Sequence, residues 1–290
     1  MKSSGTQEDD HREYSFVANS PWAVAHYYKQ AFGKEFLGPV VIVPGNKHYS
    51  WQKGVSLLGF GDSSFWTIEP DEKGNLCVAD LKRKIELAKK QNRPILMVVS
   101  VAGTTELGEI DPVDKVQDLL DEYERKEKIH IWHHVDAANG GFYCSLLGEK
   151  KTEELLSPKC ISALKSIRRA NSLTIDPHKL GYIPYACGAV LLKNKTCNRV
   201  SSFSAPYLSK LPSEDAWSST LEGSRSASGA AATWLTAKAI GFNSKGLAKI
   251  LHKGLLARMR LESLLKIMAN CYLLSPSDTN ILCLKDSPWN

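Results

Sequence analysis

Two short motifs place reactive side chains directly after hydrophobic stretches of the chain. In "SLTIDPHKLG" (172–181), the stretch "SLTI" is followed by His178 and Lys179. In "IHIWHHVDAANGG" (129–141), the hydrophobic stretch ends in Asp136. An amine and a carboxylate that each follow a hydrophobic strand can be brought to the same edge of a sheet, where they can act together on one small molecule.

Each candidate also has an ordinary interpretation when it is taken alone. Lys179 can be a solvated cation, Asp136 can cap a helix, and His48 in "GNKHYSW" can be a partly exposed loop residue. The threonines of "AGTTELGEIDP" can be plain turn residues. The pairing of "HVDAA…GG" with "DPHK" favours a shared chemical role, because both motifs follow hydrophobic strands.

The elements that must position these residues follow from the hydrophobic pattern. Short apolar runs predict strands at 38–44, 93–101, 129–136, 172–176 and 186–194. Periodic stretches predict helices at 78–92 and 111–128, the latter with Asp111 as N-cap and Pro112 at the first helical position. The pattern is helical from about residue 212 onward. Continuous apolar strands between helices predict an α/β protein with a mostly parallel sheet covered on both faces.

The ends of the predicted strands collect polar side chains at one rim of that sheet. His48 follows the strand 38–44, Thr104 and Thr105 follow 93–101, Asp136 ends 129–136, and His178 and Lys179 follow 172–176. Because ligands of such sheets bind beyond the carboxyl ends of the strands, we expect these side chains to share one site.

This combination suits pyridoxal phosphate. Lys179 can form a Schiff base with the cofactor, and Asp136 can keep the pyridine nitrogen protonated so that the ring accepts electrons. The His48 ring can stack on the pyridine. His178, Thr174 and Ser172 are candidate donors to the phosphate, and the small residues around Asp136 would let the cofactor approach the backbone: Ala137, Ala138, Gly140 and Gly141.

Composition narrows the class of protein. The 290 residues carry a net charge of +6 that is spread along the chain, which gives no indication of nucleic-acid binding. No uncharged apolar run is long enough for a membrane span, and the polar, acidic N-terminus lacks the apolar core of a secretory signal. The seven cysteines are scattered without a C-x-x-C pair, so neither disulfides nor a metal site is expected. A cytoplasmic location is therefore the expectation.

The motifs "HVDAANGG", "TIDPHKLGYIPYACGA", "AGTTELGEIDP" and "KHYSW" resemble the group II pyridoxal-phosphate-dependent amino acid decarboxylases. Within that family, "KHYSWQKG" and "LEGSRSASGAAATWLTA" are most similar to bacterial tyrosine decarboxylases. The resemblance covers roughly residues 38–285 and implies the large domain of fold type I, with a seven-stranded type of sheet. It divides the chain into an N-terminal segment (1–37), a cofactor-binding large domain (38–270) and the start of a small domain (271–290).

The resemblance also implies roles for single residues. Lys179 would hold the cofactor, Asp136 would pair with the pyridine nitrogen, and Ala138 would pack against the ring. His48 would stack on the other face, and Thr105 would support the Asp136 side. The remaining implied roles belong to His178 at the phosphate, Tyr207 as the proton donor after carbon dioxide leaves, and Ser224 near the phosphate of the partner's site. A homodimer with shared active sites follows from these roles.

Two departures from the family pattern stand out. Family members are usually longer, and most of the C-terminal small domain is expected to be missing here. Their Gly/Ser/Thr-rich phosphate loop is matched only by "KSSGTQEDD", where acidic residues would repel a phosphate. Either this stretch serves as the phosphate loop or it is a disordered terminus. The chain would accordingly be a compact decarboxylase or a truncated one.

The sequence leaves three functions open. The first is decarboxylation of an aromatic L-amino acid, with tyrosine favoured. The second keeps the fold but changes the substrate or the reaction. A glutamate or aspartate decarboxylase would require an arginine in the pocket, and a sulfur-transferring lyase would require a reactive cysteine, for which Cys197 is a weak candidate. The third is a non-catalytic partner of a full-length decarboxylase.

Overall fold

The computed structural model describes residues 18–148, 152–195, 197, 225–268, 272–274 and 277–285. Six strands form the main sheet: β1 (Val40–Pro44), β2 (Phe65–Ile68), β3 (Ile95–Val101), β4 (His133–Asp136), β5 (Ser172–Ile175) and β6 (Ala189–Leu192). Their spatial order is β2-β1-β3-β4-β5-β6. The first five strands are parallel, and β6 runs antiparallel to β5. The predicted mostly parallel α/β sheet is confirmed, with six strands in the described part of the chain.

Helices connect and cover these strands. They are α1 (Pro21–Phe32), α2 (Ser50–Leu57), α3 (Val78–Lys90), α4 (Val113–Glu127), α5 (Thr152–Leu155), α6 (Pro158–Ser166), α7 (Ser228–Ala239) and α8 (Leu247–Leu265). A two-stranded ribbon follows, made of β7 (Tyr272–Leu273) and β8 (Leu284–Lys285). Within the described residues, no helix combines the length and the apolar character that crossing a bilayer requires.

The alternation of side chains along β1 shows why this strand is apolar throughout. Val40 and Ile42 pack on one side with residues of α3 and α4, such as Leu81 and Val116. Val41 and Val43 point to the other side, where they pack with residues that include Val55 of α2. Because both faces of a parallel strand are buried, the hydrophobic run is continuous rather than alternating.

A third cluster fixes the β4–β5 half of the sheet. Val135 of β4 is completely buried and belongs to a cluster that includes Leu164 of α6 and Leu255 of α8. Residues near the C-terminal ribbon contact this half as well, since Asn280 exchanges two hydrogen bonds with the Tyr143 hydroxyl. The division of the chain at residues 37 and 270 stays a prediction.

The predicted role of Asp111 is wrong. Helix α4 begins at Val113, and its N-cap is Pro112, without a capping side chain. Asp111 is instead completely buried, and it accepts hydrogen bonds from the backbone N–H groups of Leu76, at 2.8 Å, and Val101, at 2.7 Å. Burial raises the pKa of Asp111 to about 7. The Asp111 side chain therefore clamps the end of β3 to a neighbouring loop.

The hydrophobic pattern did not predict β2. Its four residues, "FWTI", pair in parallel with β1 at the edge of the sheet. The run is too short for a period to be read, and it follows the turn-like "GFGDSS". The stretch "KSSGTQEDD", considered above as a phosphate loop, lies outside the described residues.

Candidate functional site

The carboxyl ends of β1, β3, β4 and β5 surround one cavity of about 230 Å³. Adjacent strands bring these ends together in register, since Asp136 is paired with Val101 on one side and with Thr174 on the other. Six of the predicted site residues line the cavity: His48, Thr105, Asp136, Ala138, Thr174 and Lys179. The rest of its wall is formed by Ser50, Trp51, Val101, Gly103, Asn139 and Asp176.

Asp136 ends β4 with its carboxylate held by two donors. The indole Nε1–H of Trp51 donates to Oδ2 at 2.8 Å, and the backbone N–H of Ala138 donates to Oδ1 at 3.3 Å. Only 9% of Asp136 is exposed. The structure therefore fixes a carboxylate, with both of its oxygens engaged, in the wall of the cavity.

Lys179 lies in the turn that follows β5. Its Nζ is 3.0 Å from Oδ2 of Asp176, and its backbone N–H donates to the Asp176 carbonyl oxygen at 2.9 Å. About a third of the Lys179 side chain is exposed, whereas Asp176 is 15% exposed. The ion pair keeps the amine at the cavity, where it is accessible to a small molecule.

His48 lies in the loop between β1 and α2, two residues before the helix begins. Its Nδ1 is 2.8 Å from the Ser50 hydroxyl oxygen, and its backbone oxygen accepts from the Trp51 N–H at 3.2 Å. One turn of chain thus supplies both the imidazole of the cavity and the indole that contacts Asp136.

Thr174 is supported from behind by a buried histidine. Nε2 of His134 is 3.1 Å from the Thr174 hydroxyl oxygen, and Nδ1 is 2.8 Å from that of Ser172, which also accepts from the Trp132 indole. Burial lowers the pKa of His134, so the ring is held neutral, with one nitrogen donating and the other accepting. The Ser172 hydroxyl is engaged in this network rather than lining the cavity.

The two threonines of "AGTTE" have different surroundings. Thr105 lines the cavity. Thr104 is buried, and its hydroxyl donates to Oε2 of Glu109 at 2.6 Å. Gly103 precedes them with φ +91°, and a Cβ there would lie 2.9 Å from the backbone nitrogen of Gly140. Glycine is required at this close approach of two loops.

The small residues after Asp136 serve two purposes. Ala138 lines the cavity, as expected. Gly140 instead packs against the end of β3, where its N–H donates to the Ala102 carbonyl at 2.8 Å and an added Cβ would lie 2.4 Å from that oxygen. The interpretation that Gly140 lets a cofactor approach the backbone is therefore replaced by a packing role.

Of the other predicted residues that the structure describes, His178 does not line the cavity. His178 lies behind Asp176, with its Nε2 3.7 Å from Oδ2 of that residue and its ring 4.1 Å from the Tyr185 ring. Its Nδ1 contacts the Cys187 backbone. Tyr207 and Ser224 lie outside the described residues, so the roles expected for them stay predictions.

Sequence reasoning missed four polar or aromatic residues of the cavity: Ser50, Trp51, Asn139 and Asp176. Each lies within three residues of one that was predicted, and all four belong to motifs quoted above. The signal that could have found them is proximity to a strand end. The contact between Trp51 and Asp136 spans 85 residues, and nothing in the local pattern indicates it.

The side chains of the cavity fit pyridoxal phosphate. An amine, Lys179, is available for the aldehyde, and a held carboxylate, Asp136, is available for the ring nitrogen. The Ala138 methyl and the His48 ring offer apolar and aromatic surfaces for a planar ring. Neutral donors for a phosphate are present in the same wall, in Ser50, Thr105 and Asn139.

Comparison with known proteins agrees with this fit. Residues 24–283 match the pyridoxal-dependent decarboxylase conserved domain. The L-tyrosine decarboxylase of Enterococcus faecium is 32% identical over 248 residues, which cover 78% of this chain and 40% of that protein. The aspartate 1-decarboxylase of Aliivibrio fischeri is 35% identical over 189 residues, which cover 65% of this chain and 31% of that protein.

Solved structures show the same fold. Mouse CSAD in its apo form is 25% identical, with a TM-score of 0.71, and the match covers 85% of this chain and 48% of that one. Oryza sativa TDC with PLP and tryptamine gives a TM-score of 0.72 at 18% identity, over 90% and 51% of the two chains. These likenesses confirm the fold of the large domain of fold type I.

The match is partial from the relatives' side. This chain spans about two fifths of the length of the tyrosine decarboxylases that it matches and about half of the solved chains. The domain match nevertheless covers most of this chain, and it includes every strand of the main sheet and the whole cavity. The chain belongs to the pyridoxal-dependent decarboxylase family.

Proposed function

We propose that the protein decarboxylates an aromatic L-amino acid, with tyrosine favoured, to its amine and carbon dioxide, using pyridoxal phosphate. The observation that carries this proposal is the cavity itself, in which the Lys179 amine, the held Asp136 carboxylate and the His48 ring share one wall. Relatives named L-tyrosine decarboxylase from three bacteria support the substrate.

The roles of the residues follow from their chemistry. When bound, pyridoxal phosphate supplies a ring that accepts the electrons left on the α-carbon as carbon dioxide departs. Lys179 would hold the cofactor by its aldehyde and would take it back when the amine is released. Asp136 would keep the ring nitrogen protonated. Ala138 would pack on one face of the ring, and His48 would stack on the other and contact the substrate carboxylate.

Binding and proton return complete the proposal. Thr105 would support the Asp136 side, and His178 and Thr174 would contribute near the phosphate. His48 or Tyr207 would return a proton to the α-carbon. Ser224 would reach the phosphate of the neighbouring site, so a homodimer is part of the proposal, as is a cytoplasmic location.

The charges of the cavity favour an aromatic over an acidic substrate. Among the described residues of its wall there is no arginine, and the cation that is present, Lys179, is paired with Asp176. A second carboxylate, Asp136, lies in the same wall. A substrate with an acidic side chain would meet two like charges without a compensating guanidinium.

Decarboxylation of aspartate or glutamate is the second candidate. The aspartate 1-decarboxylase of Aliivibrio fischeri and the acidic amino acid decarboxylase GADL1 of Bos taurus favour it, since both are more than 30% identical to this chain. In such an enzyme, the group that binds the acidic side chain would have to come from outside the cavity wall described above.

Amine release separates these candidates. Purified protein with added pyridoxal phosphate is incubated with tyrosine, DOPA, glutamate or aspartate, and the amine product is measured by chromatography. We expect tyramine or dopamine, and none from a Lys179→Ala variant. Lys193→Ala is the matched control, because this exposed lysine lies outside the cavity, and it should retain activity.

The third possibility is a non-catalytic partner of a longer decarboxylase. Gel filtration of the purified chain tests it, because a catalytic protein with shared sites should form its own dimer. A monomer that releases no amine from any of the four substrates would overturn the proposed function.

A further inference from the structure

We propose that Trp51 is a positioning residue, whose indole N–H orients the Asp136 carboxylate toward the ring nitrogen of the cofactor. This inference rests on the function proposed above, because it gives Trp51 a task only if Asp136 pairs with that nitrogen. Trp51 would act through Asp136, not on the substrate.

The geometry at Asp136 supports this role. The Trp51 Nε1–H donates to Oδ2 at 2.8 Å, while the Ala138 N–H donates to Oδ1 at 3.3 Å. With one fixed donor on each oxygen, the carboxylate cannot rotate without losing a bond. A hydrogen bond to an ionised acceptor is stronger than a neutral one, and the Trp51 bond is the shorter of the two.

Trp51 is itself held from several sides. It is the second residue of α2, and its backbone N–H donates to the His48 carbonyl at 3.2 Å. Its ring meets the His134 ring edge-on, with centroids 5.3 Å apart. Trp51 also lines an apolar groove of about 310 Å³ together with Val55 and Leu58. A donor anchored in this way can impose its direction on the carboxylate.

A purely structural role would have a different signature. If Trp51 only filled space, its replacement by phenylalanine would change folding stability, and the size of the effect on cofactor binding would not depend on the ring nitrogen. If Trp51 orients Asp136, the loss of its N–H should weaken cofactor binding only while the Asp136 carboxylate and the ring nitrogen are both present. This difference permits a test by a double-mutant cycle.

The cycle uses Trp51→Phe, Asp136→Asn and the double variant of the whole chain. The dissociation constant of pyridoxal phosphate is measured from the visible absorbance of the lysine-linked cofactor. We expect Trp51→Phe to weaken binding about tenfold in the unmodified chain and to have little effect once Asp136→Asn is present. Trp66→Phe is the control, because Trp66 donates to the Ser63 carbonyl away from the cavity; binding should be unchanged.

A cofactor analogue gives a second readout that packing would not move. In 1-deazapyridoxal phosphate a C–H replaces the ring nitrogen, so the analogue offers nothing for Asp136 to bind. Trp51→Phe should therefore bind the analogue as tightly as the unmodified chain does. A tenfold loss for the analogue as well, or equal losses with and without the Asp136→Asn substitution, would overturn the positioning role.

An incorrect function and an incorrect role for Trp51 would give different results. If the unmodified chain forms no borohydride-reducible adduct at Lys179, the proposed function is overturned and the inference with it. If the adduct forms but the effects of the two substitutions simply add, the proposed function survives and only the role of Trp51 is overturned.

Discussion

Asp111 and Asp136 have the same side chain and similar positions, yet their surroundings differ. Both are close to the carboxyl ends of central strands, and in each the two oxygens accept one hydrogen bond apiece. The donors to Asp111 are two backbone N–H groups, and the residue is completely buried. Asp136 is held by one backbone N–H and one indole, and it faces a cavity.

The surroundings of a carboxylate indicate whether it stabilises the fold or faces a ligand site. Asp111 satisfies backbone groups that would otherwise be buried without partners, so its effect is on folding. Asp136 lies beside a cavity that it shares with the Lys179 amine, so we expect its effect to be on ligand binding. Burial alone does not separate the two residues, whereas the cavity does.

The largest effect is expected at Asp111. Replacing it by Ala leaves the N–H groups of Leu76 and Val101 buried without partners, and each unsatisfied donor costs about 1–3 kcal/mol. The free energy of unfolding, measured by urea titration near pH 5, should fall by about 2–6 kcal/mol. Cofactor binding by the fraction that remains folded should be normal. A loss below about 1 kcal/mol would contradict the clamp role.

Asp136→Ala should reverse this pattern. The free energy of unfolding should change little, because the carboxylate borders a cavity and the Trp51 N–H can reach water there. The dissociation constant of pyridoxal phosphate should rise about a hundredfold, since the charge-assisted contact proposed between Asp136 and the ring nitrogen would be lost. If Asp136→Ala unfolds the protein as severely as Asp111→Ala does, the two aspartates are not functionally distinct.

The same contrast explains what the sequence could predict. The strand ends could be predicted because apolar runs between helices indicate parallel strands, whose carboxyl ends meet at one edge. That rule was enough to bring His48, Thr105, Asp136 and Lys179 to one cavity. It needed no knowledge of tertiary contacts. Thr104 and His178 also follow strand ends, but they do not line the cavity.

The rest depends on contacts between distant parts of the chain. Asp111 precedes Pro112 and so has the local pattern of a helix cap, but its actual donor at Leu76 is 35 residues away. The Trp51 partner is 85 residues away. No local sequence pattern indicates contacts over such distances along the chain. The donors that distinguish Asp111 from Asp136 could therefore be found only in the structure.

The burial of Asp111 should also make folding stability depend on pH. Burial raises the pKa of Asp111 to about 7 in the folded protein, above its ordinary value of 3.8. The folded state therefore holds this proton more tightly than the unfolded state does. The stabilising contribution of this proton to the free energy of unfolding is fully present below about pH 4 and is lost as the pH rises toward 7.

The contribution of Asp111 to the free energy of unfolding, measured across this range, should decline by a few kcal/mol between about pH 4 and 7. Asp111→Asn cannot titrate, so its stability curve should lack this component whatever its absolute level. Equal pH dependence in the unmodified protein and in Asp111→Asn would show that the buried carboxyl does not titrate in this range.

The smallest effect on stability is expected from the contact between Thr174 and His134. Thr174 lies next to Asp136 in the sheet. Thr174→Val removes the hydroxyl that contacts the neutral His134 ring at 3.1 Å while keeping the shape of the side chain. The free energy of unfolding should fall by about 1 kcal/mol. A loss as large as that for Asp111→Ala would mean that this contact in the cavity wall contributes as much to folding stability as the hydrogen bonds of Asp111 do.

The residue to which the cofactor attaches tests the proposed site most directly. The protein is mixed with pyridoxal phosphate, reduced with borohydride and digested, and the modified peptide is identified by mass spectrometry. We expect one modified lysine, Lys179, and no borohydride-reducible Schiff-base absorbance band in Lys179→Ala. Modification spread over exposed lysines such as Lys193, with Lys179 not preferred, would contradict the claim that the strand ends form one cofactor site.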